Sequence, residues 1–243
     1  RSPGICFEQA SHANGSMIYS FRIIPDRGSW VEVQFDSSDH LWMYLDRRHR
    51  RRKFLATTFL RAIESLGDEK PSKEEKAPAR GTDEDVLRLF YTFEEMGVEG
   101  KIGDEALVDK VFKEDVIDID SAKVLARRYE PLTRSVLNTI RAAGIKSVPV
   151  VNVAWDGGIM LKSVKADPTR SMDDALRDIY MRLRPGDPPT PSNARQLVKR
   201  LFFDQRRYDL GRVGRYKINQ KLNLAYEGES EDRQRVLHRE DVI

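Results

Sequence analysis

Cysteine is almost absent from this 243-residue sequence, in which Cys6 is the one example. A single cysteine excludes an internal disulfide framework and any zinc site that needs several thiolates. We interpret Cys6, which lies between Ile5 and Phe7, as a small buried hydrophobe. Because disulfides are rare inside cells, we expect the chain to be intracellular.

Long apolar runs are missing as well. No segment approaches the ~18 consecutive apolar residues of a membrane span. No signal-peptide pattern opens the chain. We therefore expect no membrane association. The chain starts at Arg1 and stops at Ile243 without a tail, which we interpret as a piece of a longer polypeptide.

The common sequence signatures of an active site are also absent. None of the four histidines has a second metal ligand at a suitable spacing. They are His12, His40, His49 and His238. There is no phosphate loop and no nucleophile elbow. Asp118-Ile119-Asp120 could hold a divalent ion, but a solvated turn is the favoured interpretation. The sequence predicts neither catalytic residues nor a metal site.

Charge is abundant but nearly balanced, with 33% charged residues and a net charge of +3. Its placement therefore matters more than its sum. The run RRHRRRK covers residues 47–53, and its mutual repulsion is costly unless an anion such as a phosphate backbone relieves it. A solvated loop is the alternative. Trp30 is either a core residue or a platform on which an unpaired base stacks, and its spacing favours neither.

Periodicity predicts strands in the first third and helices in the last. The predicted strands are Met17–Ile24, Trp30–Phe35 and Leu41–Leu45, followed by a helix from about Phe54 to Leu66. In the last third, helices are predicted after a Ser171 cap and after Thr190-Pro191, an N-cap followed by proline at the first helical position.

The middle of the chain gives mixed signals. Residues 68–80 are charged, contain proline and predict a linker. Thr82 and Asp85 form a helix-start motif, and the predicted helix carries Val86, Leu87, Phe90 and Phe93 on one face. A second helix is predicted over 132–143, and a buried strand over 148–154.

Two further segments combine arginines with residues that shape the backbone, which are prolines in the first segment and glycines in the second. RLRPGDPPTPSNAR, residues 182–195, has four prolines between flanking arginines. RRYDLGRVGRYKINQK, residues 206–221, alternates basic residues with tyrosines and glycines. Arginine serves phosphate or a base face, and glycine permits close backbone approach. An ordinary glycine-tolerant loop with surface arginines is the alternative for the second segment.

Four motifs then occur in a recognisable order: RSPG, RIIPDRGSWVEVQFD, LDRR, and RLRPGDPP followed by LFFDQRRYDLGRVGRYKIN. In this order they resemble the lobe, or β2 domain, of the bacterial DNA-directed RNA polymerase β subunit. The resemblance covers residues 1–66 and 167–222 closely. It covers residues 68–165 loosely, where the family tolerates large insertions.

The resemblance implies roles for individual residues. Residues 184–190 would form a gate loop that projects across the DNA cleft, with Arg184, Pro185, Gly186, Asp187, Pro188 and Pro189 in its motif. Arg184 and Arg207 would lie near the non-template strand, and Trp30 would stack on one of its unpaired bases. Arg1 and Asp46 would read a flipped guanine. The implied DNA-binding set is Arg1, Trp30, Asp46, Arg47, Arg48, Arg184 and Arg207.

The resemblance also implies an assembly. The parent subunit would belong to a nucleotidyltransferase whose Mg²⁺ is bound by the partner β′ subunit, so that this chain holds no cofactor and no catalytic residue. Implied partners are promoter and downstream DNA, the β′, α and ω subunits, σ factor and regulators that dock on the lobe. The isolated chain would be a monomer, and the location would be cytoplasmic, at the nucleoid.

The expected fold is α+β, with antiparallel N-terminal strands packed against C-terminal helices and a mainly helical outer subdomain. We expect a discontinuous inner lobe, 1–67 with 166–243, a variable outer subdomain at 81–165, and a flexible linker at 68–80. The alternative function is a stand-alone single-stranded nucleic-acid-binding module. That module would bind a short oligonucleotide tightly by itself, with a steep salt dependence.

Overall fold

The computed structural model describes residues 2–11, 15–45, 52–63, 80–100, 102–224 and 235–242. The strands among them are β1 (Gly4–Ser11), β2 (Met17–Ile24), β3 (Val31–Phe35), β4 (Leu41–Leu45), β5 (Arg52–Leu55), β6 (Thr92–Gly97), β7 (Lys110–Phe112), β8 (Val116–Ile117), β9 (Val124–Ala126) and β10 (Ser147–Asn152). The α-helices are α1 (Ala56–Ile63), α2 (Asp83–Leu87), α3 (Arg134–Ala142), α4 (Ile159–Ala166), α5 (Met172–Leu183), α6 (Pro191–Phe202) and α7 (Gly211–Leu222). Two short 3-10 helices cover Asp104–Ala106 and Arg239–Asp241.

The chain divides into two compact units. The first unit contains residues 1–86 and 163–243, and the second contains residues 87–162. The predicted α+β class is confirmed, because the N-terminal strands form one antiparallel sheet and helices follow it in the C-terminal part. None of the described helices is both long and apolar enough to cross a membrane.

The first unit is built on a five-stranded sheet whose strands lie in sequence order, β1 to β5. Each neighbouring pair is antiparallel, as short hairpin connections require. Strands β2 and β4 have the predicted bounds, and β3 begins one residue after the predicted start. The edge strand β1 was not predicted from the sequence, because its outer half, from Phe7 to Ser11, is exposed and has no alternating apolar pattern.

Helices α1, α5, α6 and α7 complete the first unit. Helix α1 packs on β4, β5 and α5, and α7 packs on β1. A chain of aromatic rings runs through this core, from Phe54 to Phe59 (6.5 Å), Phe202 (5.3 Å) and Tyr208 (6.0 Å). Burial of each such side chain contributes about 1.5–3 kcal/mol. The ring contacts tie the end of α6 to the segment that precedes α7.

The three helix caps that the sequence predicted, Thr82, Ser171 and Thr190, are confirmed. Ser171 accepts a hydrogen bond from the Asp174 amide (3.3 Å), and Thr190 accepts one from Asn193 (3.3 Å). Thr82 Oγ1 accepts from the Asp85 amide (3.2 Å), and the Asp85 carboxylate accepts from the Thr82 amide (2.9 Å). Each cap satisfies an amide that the helix itself leaves unpaired.

Two predicted helix bounds are wrong. The helix expected from Phe54 begins at Ala56, because Arg52–Leu55 pairs with β4 as β5. The helix expected to include Phe93 ends at Leu87, and Phe93 instead pairs with Val151 in β6. In both places strand pairing overrode the local helical preference, with the neighbouring β4 in the first case and with the distant β10 in the second.

The second unit contains a three-stranded sheet in the order β6-β10-β7 and a two-stranded ribbon of β8 and β9. Its core clusters around Phe112, Ile140, Val148 and Val150, which are at most 1% exposed. Helix α3 is the α-helix that lies entirely within the described part of this unit. The expectation of a mainly helical outer subdomain is therefore wrong, because strands of two to six residues pair over long distances and leave little periodic signal.

Candidate nucleic-acid interface

The turn between β2 and β3 packs against the segment that precedes α7. Arg27 and Asp209 form an isolated antiparallel bridge, with amide-to-carbonyl distances of 3.0 and 2.7 Å. Gly28 has φ of +124°, and a Cβ atom there would lie 2.7 Å from the Tyr208 ring and 3.1 Å from the Arg207 carbonyl oxygen. Only glycine permits this approach without displacement. The sequence motif around Gly28 therefore builds a contact between two distant segments.

This contact places the turn that carries Trp30 beside Arg207. Trp30 is half-buried, so it is neither a fully enclosed core residue nor a fully open platform. Arg207 is 61% exposed at its side chain. Two of the predicted DNA-binding residues thus lie on adjoining segments, 177 positions apart in sequence.

Arg207 itself is held in a short turn. Its amide donates to the Asp204 carbonyl (2.9 Å), and its guanidinium Nε lies 3.6 Å from the Asp204 carboxylate. The same carboxylate accepts from the Arg206 amide (3.0 Å). Tyr208, directly after Arg207, is fully buried beneath this turn, and burial together with the negative charge of Asp241 raises its pKa. Tyr208 thus anchors the turn while Arg207 faces solvent.

The predicted gate loop connects α5 to α6. The Arg184 amide donates to the Tyr180 carbonyl (2.8 Å), and the Asp187 amide donates to the Arg184 carbonyl (3.3 Å). Gly186 has φ of +102°, which a residue with a Cβ atom rarely adopts. Residues 184–188 are exposed, and Pro189 is half-buried. Two turn hydrogen bonds and three prolines therefore restrict an exposed loop to few conformations.

Basic residues of β5 lie at the base of this loop. The Arg52 guanidinium donates to the Leu183 carbonyl, and Arg182 Nη1 donates to the Lys53 carbonyl (3.1 Å). Lys53 Nζ lies 4.2 Å from the centroid of the Trp42 ring. The end of the basic run is therefore part of the loop's support, a role that local sequence did not reveal because Leu183 is 131 residues away.

The structure separates Arg184 from Arg207. The gate loop enters the first turn of α6, and the Arg207 turn follows its last residue, Phe202. With a rise of 1.5 Å per residue, the 12 residues of α6 place the two segments roughly 18 Å apart along its axis. Four predicted site residues, Arg1, Asp46, Arg47 and Arg48, lie outside the described residues.

The basic tail from 206 to 221 is not a uniform binding surface. Most of it forms α7, and Arg215 is only 4% exposed. Its guanidinium donates to both Asp241 carboxylate oxygens (2.6 and 2.9 Å) and to the Val236 carbonyl (2.6 Å). Arg215 is therefore structural and is not available to a phosphate.

No group of three potential metal ligands occurs among the described residues. The Asp118–Asp120 motif forms a turn after β8, in which Asp118 accepts from the Ser121 hydroxyl (2.5 Å) and the Asp120 amide (3.1 Å). These hydrogen bonds, that of Ser121 first, lower the pKa of Asp118. The carboxylate oxygens of Asp118 therefore accept hydrogen bonds from within the turn to which Asp118 belongs.

Comparison with known proteins gives one consistent result. Residues 159–243 match the family model described as RNA polymerase Rpb2, domain 2. Over its full length the chain is similar to "DNA-directed RNA polymerase subunit beta" of Methylacidiphilum infernorum (51% identity), Chlamydia muridarum (43%) and Protochlamydia amoebophila (43%). The chain spans 18% of the length of each of these relatives. Over its full length the chain is therefore similar to one segment of the β subunits of bacterial DNA-directed RNA polymerases.

Proposed function

We propose that this chain is the lobe of a polymerase β subunit and forms one wall of the DNA cleft during transcription. The observation that carries the proposal is full-length similarity to β subunits combined with two exposed arginines, Arg184 and Arg207, on rigid turns. In the proposed role both guanidinium groups contact phosphates of the non-template strand. The chain binds DNA in this role and carries out no covalent chemistry.

The loop from 184 to 190 acts as the gate in this proposal. A gate must keep its position when a long polyanion moves past it. The turn hydrogen bonds of Arg184 and Asp187 and the positive φ of Gly186 support a fixed loop shape. Prolines reduce the conformational freedom that would let the loop collapse.

Trp30 supplies a stacking surface beside Arg207. Trp30 is half-buried, so part of the residue is accessible to solvent, which suits contact with a base that has left the duplex. Base–aromatic stacking contributes about 1–3 kcal/mol per base. The adjoining guanidinium of Arg207 would neutralise the phosphate of the stacked nucleotide.

The remaining predicted residues belong to the same proposal. Arg1 and Asp46 would bind a flipped guanine downstream, where a carboxylate accepts from the N1–H and N2–H₂ groups. Arg47 and Arg48 would contact the neighbouring phosphates. Leu45, the residue before Asp46, ends β4 opposite Arg52, so the pocket would start from an ordered sheet edge.

The parent assembly is proposed as a multisubunit nucleotidyltransferase. Its Mg²⁺ and catalytic aspartates would lie in the β′ subunit, and α, ω and σ would complete the enzyme at the nucleoid. This chain would supply promoter and downstream DNA contacts and a docking surface for regulators.

Holoenzyme carrying Arg184→Ala or Arg207→Ala tests the phosphate contacts. We expect shorter-lived open promoter complexes, with a loss that is similar across promoter sequences, because phosphate contacts position DNA without reading its bases. The salt dependence of log lifetime should become shallower by about one unit for each contact removed. Competitor challenge after complex formation measures the lifetime.

Arg177→Ala is the matched control, since Arg177 is an exposed arginine on α5 with its own carboxylate partner three residues away. Trp30→Ala should also shorten lifetimes, whereas Trp30→Phe should retain part of the stacking. An unchanged lifetime in both arginine variants would refute the proposed function. A loss confined to one base identity would reassign the arginines to base recognition.

A further inference from the structure

Each of the two arginines proposed to bind phosphate faces a carboxylate three residues away. Arg184 Nη1 lies 3.8 Å from Asp187 Oδ2 in the gate loop. Arg207 Nε lies 3.6 Å from Asp204 Oδ2 in the turn before α7. The two sites belong to different segments of the first unit, so the same arrangement has arisen twice.

The placement is unfavourable for simple DNA attraction. A carboxylate within 4 Å of a guanidinium cancels most of the field that the arginine presents to a distant phosphate. The gate loop pair therefore has no net charge, although it lies on an exposed turn of a proposed DNA-binding wall. A surface that only had to capture DNA would place no acid there.

The pairs are also weak enough to open. The side chains are 57% and 54% exposed in the first pair and 61% and 31% exposed in the second. Ion pairs in contact with water are strongly screened and contribute little to stability. A phosphate, which binds arginine through short charge-assisted hydrogen bonds, is able to replace the carboxylate.

We propose that Asp187 and Asp204 are internal counter-ions that hold Arg184 and Arg207 in position and compete with DNA phosphate. The inference rests on the proposed function and goes beyond it, because it assigns a role to the acids. Binding then exchanges one ion pair for another. The acids limit how long any single phosphate stays bound, which suits a wall past which DNA must move.

If this exchange occurs, removing one of the acids should change the salt dependence of complex lifetime in the opposite direction to removing an arginine. In the free protein the carboxylate already neutralises the arginine, so the acid takes up a cation when the phosphate replaces it. This uptake offsets part of the counterion release from DNA. Removal of the acid should lengthen complexes at low salt and steepen the salt dependence.

Holoenzyme carrying Asp187→Asn tests the proposal by open-complex lifetime between low and moderate salt. Asparagine retains the size and a hydrogen-bonding oxygen but removes the charge. Release of Arg184 from an exposed ion pair, which has the strength of an ordinary surface salt bridge, should lengthen lifetime about threefold. The slope of log lifetime against log salt should steepen by up to about 0.9.

Asp204→Asn is the second variant, and it retains the oxygen that accepts from the Arg206 amide. Asp174→Asn is the matched control. Asp174 pairs with Arg177 at 3.7 Å with the same three-residue spacing and similar exposure, but it lies ten residues before Arg184, roughly 15 Å along α5. Asp174→Asn changes the net charge by the same amount as the other two asparagine variants, and it should leave the open-complex lifetime unchanged.

The double variant Arg184→Ala with Asp187→Asn separates the alternatives. If Asp187 acts through Arg184, removing the acid should lengthen lifetime much less in the Arg184→Ala background. Shorter or unchanged lifetimes in both asparagine variants, or an equal gain in Asp174→Asn, would overturn the inference. If Arg184→Ala and Arg207→Ala have no effect, the proposed function fails; if they have an effect and the asparagine variants do not, only the counter-ion role fails.

Discussion

At the scale of single residues, some arginines of this molecule are buried and structural, whereas others are exposed to solvent. Arg61 is 0% exposed and donates to Asp83 (2.5 Å), Asp167 (3.4 Å) and the Gly81 carbonyl (2.8 Å). Arg184 and Arg207, by contrast, are more than half exposed. All three arginines have carboxylate partners, so burial of the ion pair, rather than residue type, decides which arginines remain available to a ligand.

Replacement of Arg61 by leucine should destabilise the fold by about 3–5 kcal/mol, because the carboxylates of Asp83 and Asp167, which have little solvent exposure, would lose the Arg61 guanidinium. Urea denaturation followed by circular dichroism measures the change. Arg61→Lys should be less damaging, since it retains the charge but not the forked donor geometry. A loss below about 1 kcal/mol for leucine would show that the cluster contributes little.

At the scale of elements, the β3–β4 hairpin is organised by one carboxylate. Asp36 accepts from the amides of Ser38 (2.8 Å) and His40 (2.9 Å) and from the Trp42 indole (2.8 Å). Burial alone would raise the pKa of Asp36, but these hydrogen bonds outweigh it and lower the pKa below its ordinary value. The charged form of Asp36 is therefore linked to the folded hairpin.

The stabilisation from Asp36 should depend on pH. A carboxyl with a lowered folded-state pKa contributes stability above its ordinary pKa of about 3.8, and the contribution disappears as pH falls through the folded-state value. Asp36→Asn should therefore be less stable than the parent at pH 6. The difference should shrink as pH falls below about 3.8 and through the folded-state pKa of Asp36. A difference that stays constant over this range in urea titrations would contradict the assignment.

At the scale of the whole molecule, the chain forms two units with separate cores, and the candidate interface belongs to only one of them among the described residues. The residues of the candidate interface that the structure describes all lie in the first unit. The second unit has its own core around Phe112, Ile140 and Val150. The chain leaves the first unit after Val86 and returns to it at Ser163.

Phe112→Ala should destabilise the second unit by about 3–5 kcal/mol, since it removes a ring that is 0% exposed. Amide hydrogen exchange should show lost protection in β7, β10 and α3, with protection retained in β1 to β5. Equal loss in both sets would mean that the two units unfold as one. Phe7→Ala, at a residue 61% exposed, is the control and should change protection little.

Much of the first unit followed from local patterns, and much of the second did not. The bounds of β2 and β4 agreed because alternating apolar residues lie between turn residues. The Ser171 and Thr190 caps agreed because a cap involves only neighbours in sequence. In the second unit, the start of β6 was predicted as helix, since Phe93 pairs with Val151, 58 residues away.

The candidate interface shows the same division. The sequence by itself determined the proline-rich loop at 184–190 and the resemblance to polymerase β subunits, whereas the close approach at Gly28 depends on Tyr208 and Arg207. Only the tertiary structure decided that Arg207 adjoins the Trp30 turn and that Arg215 is buried on Asp241, 26 residues away. Local geometry is encoded by neighbouring residues, whereas burial and ion pairing depend on which distant segments the fold brings together.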